Sequence, residues 1–168
     1  MRKVAFIDFE EIKKIMLYNA DGEETYLFYF DTWHDAPSTK DFLYPSVEEV
    51  EEYCLIEYNV KPSDWINISD PQNGCQHDFI APTKVKGRDT GNPQWGNFER
   101  LINGKFIEIS SSYKEYSING TTGNERLFLS GLMDEFDNAK GTNDFLKARK
   151  ILSALQIDEL SINRIIKK

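Results

Sequence analysis

The sequence predicts an α+β fold: an antiparallel-rich sheet with one main helix in residues 1–110, then a small C-terminal helical extension, 111–168, packed on it. Three observations carry that prediction. Turn signals separate short apolar segments through the first two thirds of the chain. A single stretch from Ser46 switches to helical period, and beyond about residue 124 apolar residues recur every three to four positions. At 168 residues the chain can bury a core without disulfide staples, and its plentiful aromatics exclude a disordered or fibrous protein.

The elements follow in order. "IKKIMLYN" and "TYLFYFD" flank the turn "ADGEE", where Gly22 supplies the positive φ of a hairpin. The apolar run Tyr26 to Phe30 suits a strand covered on both faces. The first segment also admits a helix, with Asp8 as N-cap and Phe9, Ile12 and Met16 on one face; strand is preferred. "DTWHDAPSTKDFLYP" reads as a loop. Ser46 and Glu49 then form a capping box, and Val47, Val50, Cys54 and Tyr58 give one apolar helix face. "WINIS" is a short strand, and Pro82 makes "FIAPTKVKG" an edge segment. In "FERLINGKFIEI", Asn103 and Gly104 give the strongest short-range hairpin signal in the chain.

"SSSYKEYSINGTTGN" is polar and turn-rich. After it, Leu129, Leu132, Met133 and Phe136 form a helical stripe. A second helix, with Thr142 or Asn143 as cap, carries Leu146, Ile151, Leu152 and Leu155, and a third begins at Asp158.

The net charge of −8 is unevenly placed. Residues 1–60 hold fourteen acidic against five basic residues, residues 61–110 balance, and residues 111–168 carry a net +1. Such an N-terminal field repels nucleic acid and anionic membranes and steers basic partners inward. No leader-like or membrane-spanning run is evident, which predicts a cytoplasmic protein. Two cysteines, Cys54 and Cys75, make no disulfide framework and cannot alone supply a structural zinc site. The sequons at Asn67 and Asn119 therefore carry little weight.

Cys75, His77 and Asp78 could be read as nucleophile, base and orienter, but neighbours on an extended segment diverge, and no nucleophile signature surrounds the cysteine. A metal site would take His34, Cys75 and His77, with Asp31 or Asp35. In a His-poor chain, a histidine bonded to a carboxylate or carbonyl is the more frequent arrangement, so neither metal nor cofactor is expected. Lys84, Lys86 and Arg88 alternate beside Trp95 like a small phosphate-binding surface, yet pairing with the chain's own carboxylates is favoured. "KGRDTGNPQWG" lacks a phosphate-cradling spacing, and Trp95 either anchors that turn, the favoured role, or presents an aromatic to a partner.

Taken together, "DWI", "GCQHDFIAP", "VKGR" and "GNPQWGNFERLINGK" resemble a group of small bacterial proteins of the toxin-immunity type, over about residues 25–110. The resemblance implies a non-enzymatic protein that binds and neutralises one cognate toxin, and it carries over no catalytic residue. Charge points independently to a basic protein partner, such as a nuclease-type toxin, met by an acidic surface with aromatic anchors. The candidate partner-binding residues are Asp31, Trp33, Asp35, Asp41, Tyr44, Glu48, Glu49, Glu51 and Glu52, with Tyr29 as a further aromatic. The alternative is a small-ligand- or metal-binding domain, or a hydrolase, using His34, Cys75 and His77.

Overall fold

Alternation of large apolar side chains along the N-terminal strands leaves neither face of their sheet able to meet water. In the computed structural model, which describes residues 1–20, 22, 24–109 and 118–167, these strands are β1 (Arg2–Phe9), β2 (Ile12–Asn19), β3 (Thr25–Phe30), β4 (Lys40–Tyr44) and β5 (Ile66–Ile68). They form an antiparallel sheet in the order β4-β3-β2-β1-β5. Successive side chains point to opposite faces. Ala5, Ile15, Leu17, Leu27 and Tyr29 therefore enter one core, with Val50 and Cys54 of helix α1 (Val47–Tyr58) and with Trp65. Val4, Met16, Phe28, Phe30, Ile66 and Ile68 enter the other.

That second face is covered by four helices, α2 (Gly123–Leu129), α3 (Met133–Gly141), α4 (Phe145–Ala154) and α5 (Glu159–Ile166). They contribute Leu127, Phe136, Ala148, Ile151, Leu152 and Ile162 to the shared core, with Leu132 and Leu155 from the turns after α2 and α4. Each fully buried Leu or Ile stabilises by roughly 1.5–3 kcal/mol relative to exposure. Polar ties reinforce the contact: Lys150 Nζ donates to the Trp65 carbonyl at 2.5 Å, and Glu135 accepts from the Ser69 amide while pairing with Lys147 at 2.6 Å.

Several local expectations hold. The apolar run of β3 is buried toward both cores from Leu27 to Phe30, while Tyr26 is exposed. Gly22 has φ +80° in the β2–β3 turn, whose Asp21 and Glu23 lie outside the described residues. Ser46 Oγ accepts from the Glu49 amide at 3.2 Å, the N-cap half of the expected capping box, and Asn59 closes α1 in the left-handed region. Asn103 and Gly104, with φ of 50° and 77°, turn β7 (Phe98–Ile102) into β8 (Lys105–Ile109).

Other expectations are corrected. β1 pairs along "RKVAFIDF", a segment not anticipated as a strand. "KDFLY", taken as loop, is β4. The β7–β8 hairpin joins β6 (Thr83–Val85) in a separate three-stranded sheet. The stripe through Leu129 and Phe136 breaks into α2 and α3 at Gly131, whose φ of +78° ends the first helix. Asp144, rather than Thr142 or Asn143, caps α4, and Asp158 caps α5 as expected. The polar stretch at 110–117 lies outside the described residues.

Candidate partner-binding face

Helix α1 turns Val50 and Cys54 inward, so residues on the opposite side of the helix face water. Glu48, Glu49 and Glu52 are exposed there, and none pairs with a cation among the described residues. Glu48 and Glu49 also lie in the first turn, where the helix dipole favours negative charge. Directly beyond them stand Leu55, 42% exposed, and Ile56, 71% exposed. Unpaired carboxylates thus border bare aliphatic side chains along one helix face. Glu51 differs: it is half-buried and bound to Lys3 Nζ at 2.6 Å, which ties α1 to β1.

Beneath α1 lies a layer of tyrosines. Tyr44 and Tyr53 have ring centroids 5.5 Å apart, Tyr53 and Tyr58 5.9 Å, and Tyr29 and Tyr58 6.1 Å. Burial raises the Tyr29 and Tyr44 hydroxyls above their ordinary range and, with a hydrogen bond that Tyr58 donates to Tyr53, pushes Tyr58 up to about 12. Tyr44 and Tyr29 are therefore neutral scaffolding that supports the helix from below.

The remaining acidic and aromatic candidates divide. Asp31 and Asp41 are exposed, after β3 and on β4 respectively. Trp33 is half-buried and meets His34 edge to face at 4.2 Å. Asp35 does not belong to the surface at all. Its carboxylate is fully buried and accepts from the Ile80 amide at 2.7 Å, the Ala81 amide at 3.0 Å and Arg100 Nη2 at 2.9 Å. Its own amide donates to the Leu129 carbonyl at 2.8 Å. One residue thus joins the loop after β3 to the approach to β6 and to β7 through its side chain, and to the end of α2 through its backbone amide.

Around this joint sit two more buried cations. Arg2 donates to the carbonyls of Ser69, Phe79 and Ile80. Lys14 donates to the His34 carbonyl at 2.6 Å and lies 4.2 Å from the centre of the Phe30 ring. Burial lowers Lys14 to about 8, against a smaller upward pull from Asp35.

The residues proposed for thiol or metal chemistry do not converge. Cys75 is buried, and burial raises its thiol despite Lys84 and Arg2 nearby. His77 is exposed, with its ring 4.8 Å from that of Tyr18, whereas Asp78 accepts from the Ser38 amide at 2.9 Å. Among the described residues no three of His, Cys, Asp and Glu are placed to hold a metal ion, so His34, Cys75 and His77 form no ligand set. Lys84 binds Asp89 and Glu99, and Lys86 binds Glu108 at 2.6 Å, so two of the three alternating cations pair internally. Trp95 departs from its favoured role as an anchor: at 73% exposed, its ring is presented to solvent.

Sequence reasoning missed Leu55 and Ile56, although both fall off the Val47, Val50, Cys54 stripe and so point away from the core. It also missed the apolar pair Phe42 and Leu43 on β4, about half exposed. The class defined here is an α+β protein with helices on both faces of an antiparallel sheet and an acidic, partly apolar helix face. Comparisons with family models, curated proteins and solved structures returned no match. Among the described residues no helix is long and apolar enough to cross a membrane.

Proposed function

We propose that this chain is a non-enzymatic, cytoplasmic bacterial immunity-type protein that binds and neutralises a cognate basic toxin through the outer face of α1. The observation that carries the proposal is the alignment of unpaired Glu48, Glu49 and Glu52 with exposed Leu55 and Ile56. Carboxylates of this kind accelerate encounter with a basic surface, while desolvated aliphatic side chains hold the complex once formed. The N-terminal concentration of negative charge supports the same partner, and so does the resemblance over residues 25–110. The test is co-expression with the product of the neighbouring gene, scoring survival and complex formation. Protection should fall for Ile56→Asp and for the Glu48→Lys, Glu49→Lys, Glu52→Lys variant; a non-toxic neighbour, or full protection by both variants, would reject the proposal.

A second reading, small-ligand binding, is favoured by a cleft of about 420 Å³ where α2 meets α5, lined by Thr121, Arg126, Ser161 and Arg164. Its lining excludes His34, Cys75 and His77. Stabilisation of the purified protein by inorganic phosphate, abolished by Arg164→Ala, would favour that reading.

A further inference from the structure

We propose that the free edge of β4 accepts an extended basic segment of the partner, paired main chain to main chain with Lys40–Tyr44. The inference deepens the acidic-face reading and rests on it for the partner's charge.

Among the described residues β4 is the terminal strand of its sheet, paired with β3 alone. An edge strand leaves a row of amides and carbonyls ready for another chain, and extended peptides commonly bind by adding to such an edge. Pro37 and Pro45 bracket β4 and limit any addition to about its own five residues.

Its side chains give the second observation. Phe42 and Leu43, 51% and 48% exposed, lie on opposite faces of the strand. Phe42 meets Tyr29 edge to face at 5.8 Å on the α1 side. Leu43 pairs in register with Tyr26, whose ring stacks on Phe28 at 5.7 Å on the other side. A bare edge with apolar side chains on both faces invites association, and an added strand would cover both with its own alternating residues.

Charge selects the occupant. Asp41 lies on the strand itself, Asp31 near its Lys40 end, and Glu24, Glu48 and Glu49 near its Tyr44 end; all five are exposed. The only cation on the strand is Lys40, whose Nζ lies 4.8 Å from the centre of the Tyr29 ring. A second copy of this chain would bring the same carboxylates against themselves, and like charges facing across strands destabilise pairing. A segment alternating basic and apolar residues can set its apolar side chains over Phe42 on the α1 side and its basic ones beside Asp41 on the other, where their aliphatic stems cover Leu43.

The probe is the blocked peptide KVKVKVK, titrated into the full-length ¹⁵N-labelled protein, with EVEVEVE and the interrupted KVKPKVK as controls. The expected result is shifted β4 amide signals and slowed β4 amide exchange with KVKVKVK alone. Leu43→Lys and Phe42→Thr should each weaken binding by about tenfold, a change of about 1.4 kcal/mol, with folding checked by circular dichroism. Perturbation of α1 alone, no perturbation, or equal binding of EVEVEVE would overturn strand addition. So would concentration-dependent protection of β4 in the protein alone, which would make a second copy the occupant. Capture of the neighbouring gene's product without any peptide effect on β4 would remove strand addition and leave the α1 reading standing. Peptide pairing at β4 without such capture would uphold strand addition and remove the toxin.

Discussion

Asp35 and Glu52 carry the same charge and lie within twenty residues of each other, yet the fold uses them in opposite ways. Asp35 is sealed inside, its carboxylate divided between two backbone amides and Arg100. Glu52 stands in water on α1 with no ion pair among the described residues. A buried carboxylate must be compensated and so becomes structural; an exposed one contributes almost nothing to stability and remains available to a partner. Composition alone cannot separate these roles, whereas mutation can.

The largest effect is expected at Asp35. Asp35→Ala leaves the Arg100 guanidinium buried without its counter-charge and two amides without an acceptor, which costs on the order of 3–5 kcal/mol. Urea unfolding should show that loss, and a change below about 1 kcal/mol would mean that Asp35 does not hold the joint. Gly131→Ala should follow, at about 2 kcal/mol or more. Its Cβ would fall 2.5 Å from Asp35 Oδ2, at a backbone φ of +78° that L-residues rarely adopt. A thermal midpoint equal to that of the parent would contradict this close approach.

Lys14 gives a pH-dependent effect in the same interior, about 1 kcal/mol across the interval from pH 8 to 9 in which it is read. Its folded value of about 8 lies below the ordinary 10.5, because burial disfavours the charged form. Below pH 8 both states hold the proton and the folded state bears the full cost of the buried charge. Between 8 and 10.5 the unfolded chain holds more protons, so this contribution to stability rises with pH, by roughly 3 kcal/mol over the interval. Cys54, raised by burial to about 12 from 9, acts oppositely above pH 9, so the slope is read between pH 8 and 9. Lys14→Met should flatten it; an unchanged slope would assign the titration elsewhere.

The smallest stability effect is expected on α1. Glu48→Lys, Glu49→Lys and Glu52→Lys together should change unfolding free energy by less than about 1 kcal/mol, because exposed charges act through high-dielectric solvent. Two of them also leave the first turn, where the dipole favours negative charge, so the change should be a loss. A much larger loss would make these glutamates structural, like Asp35.

What was legible in the sequence follows the same division between local and distant causes. α1, the β2–β3 turn and the Asn103–Gly104 hairpin announce themselves through residues a few positions apart: Ser46 with Glu49, Gly22, and a dipeptide suited to positive φ. β1 was hidden because its turn runs through Glu10, a non-glycine residue at φ 50°. β4 was hidden because Phe42 and Leu43 are both exposed, so no alternation of burial marks the strand. Asp35 looked like surface acid because its partner Arg100 lies 65 residues further on. Of the candidate face, the glutamates were legible as a charge run. Leu55 and Ile56 fall off the Val47, Val50 and Cys54 stripe, but only the fold shows that no described neighbour covers them.

The central claim, that the exposed carboxylates of α1 recruit a basic partner, is tested most directly by the association rate with the neighbouring gene's product, measured across salt concentration. Attraction between exposed charges weakens as the screening length shrinks to about 8 Å at physiological ionic strength. The parent's association should therefore slow steeply with added salt. The triple Glu→Lys variant should associate at least about tenfold more slowly at low salt, with a shallower salt dependence. Equal rates and equal salt slopes for the two proteins would contradict the claim.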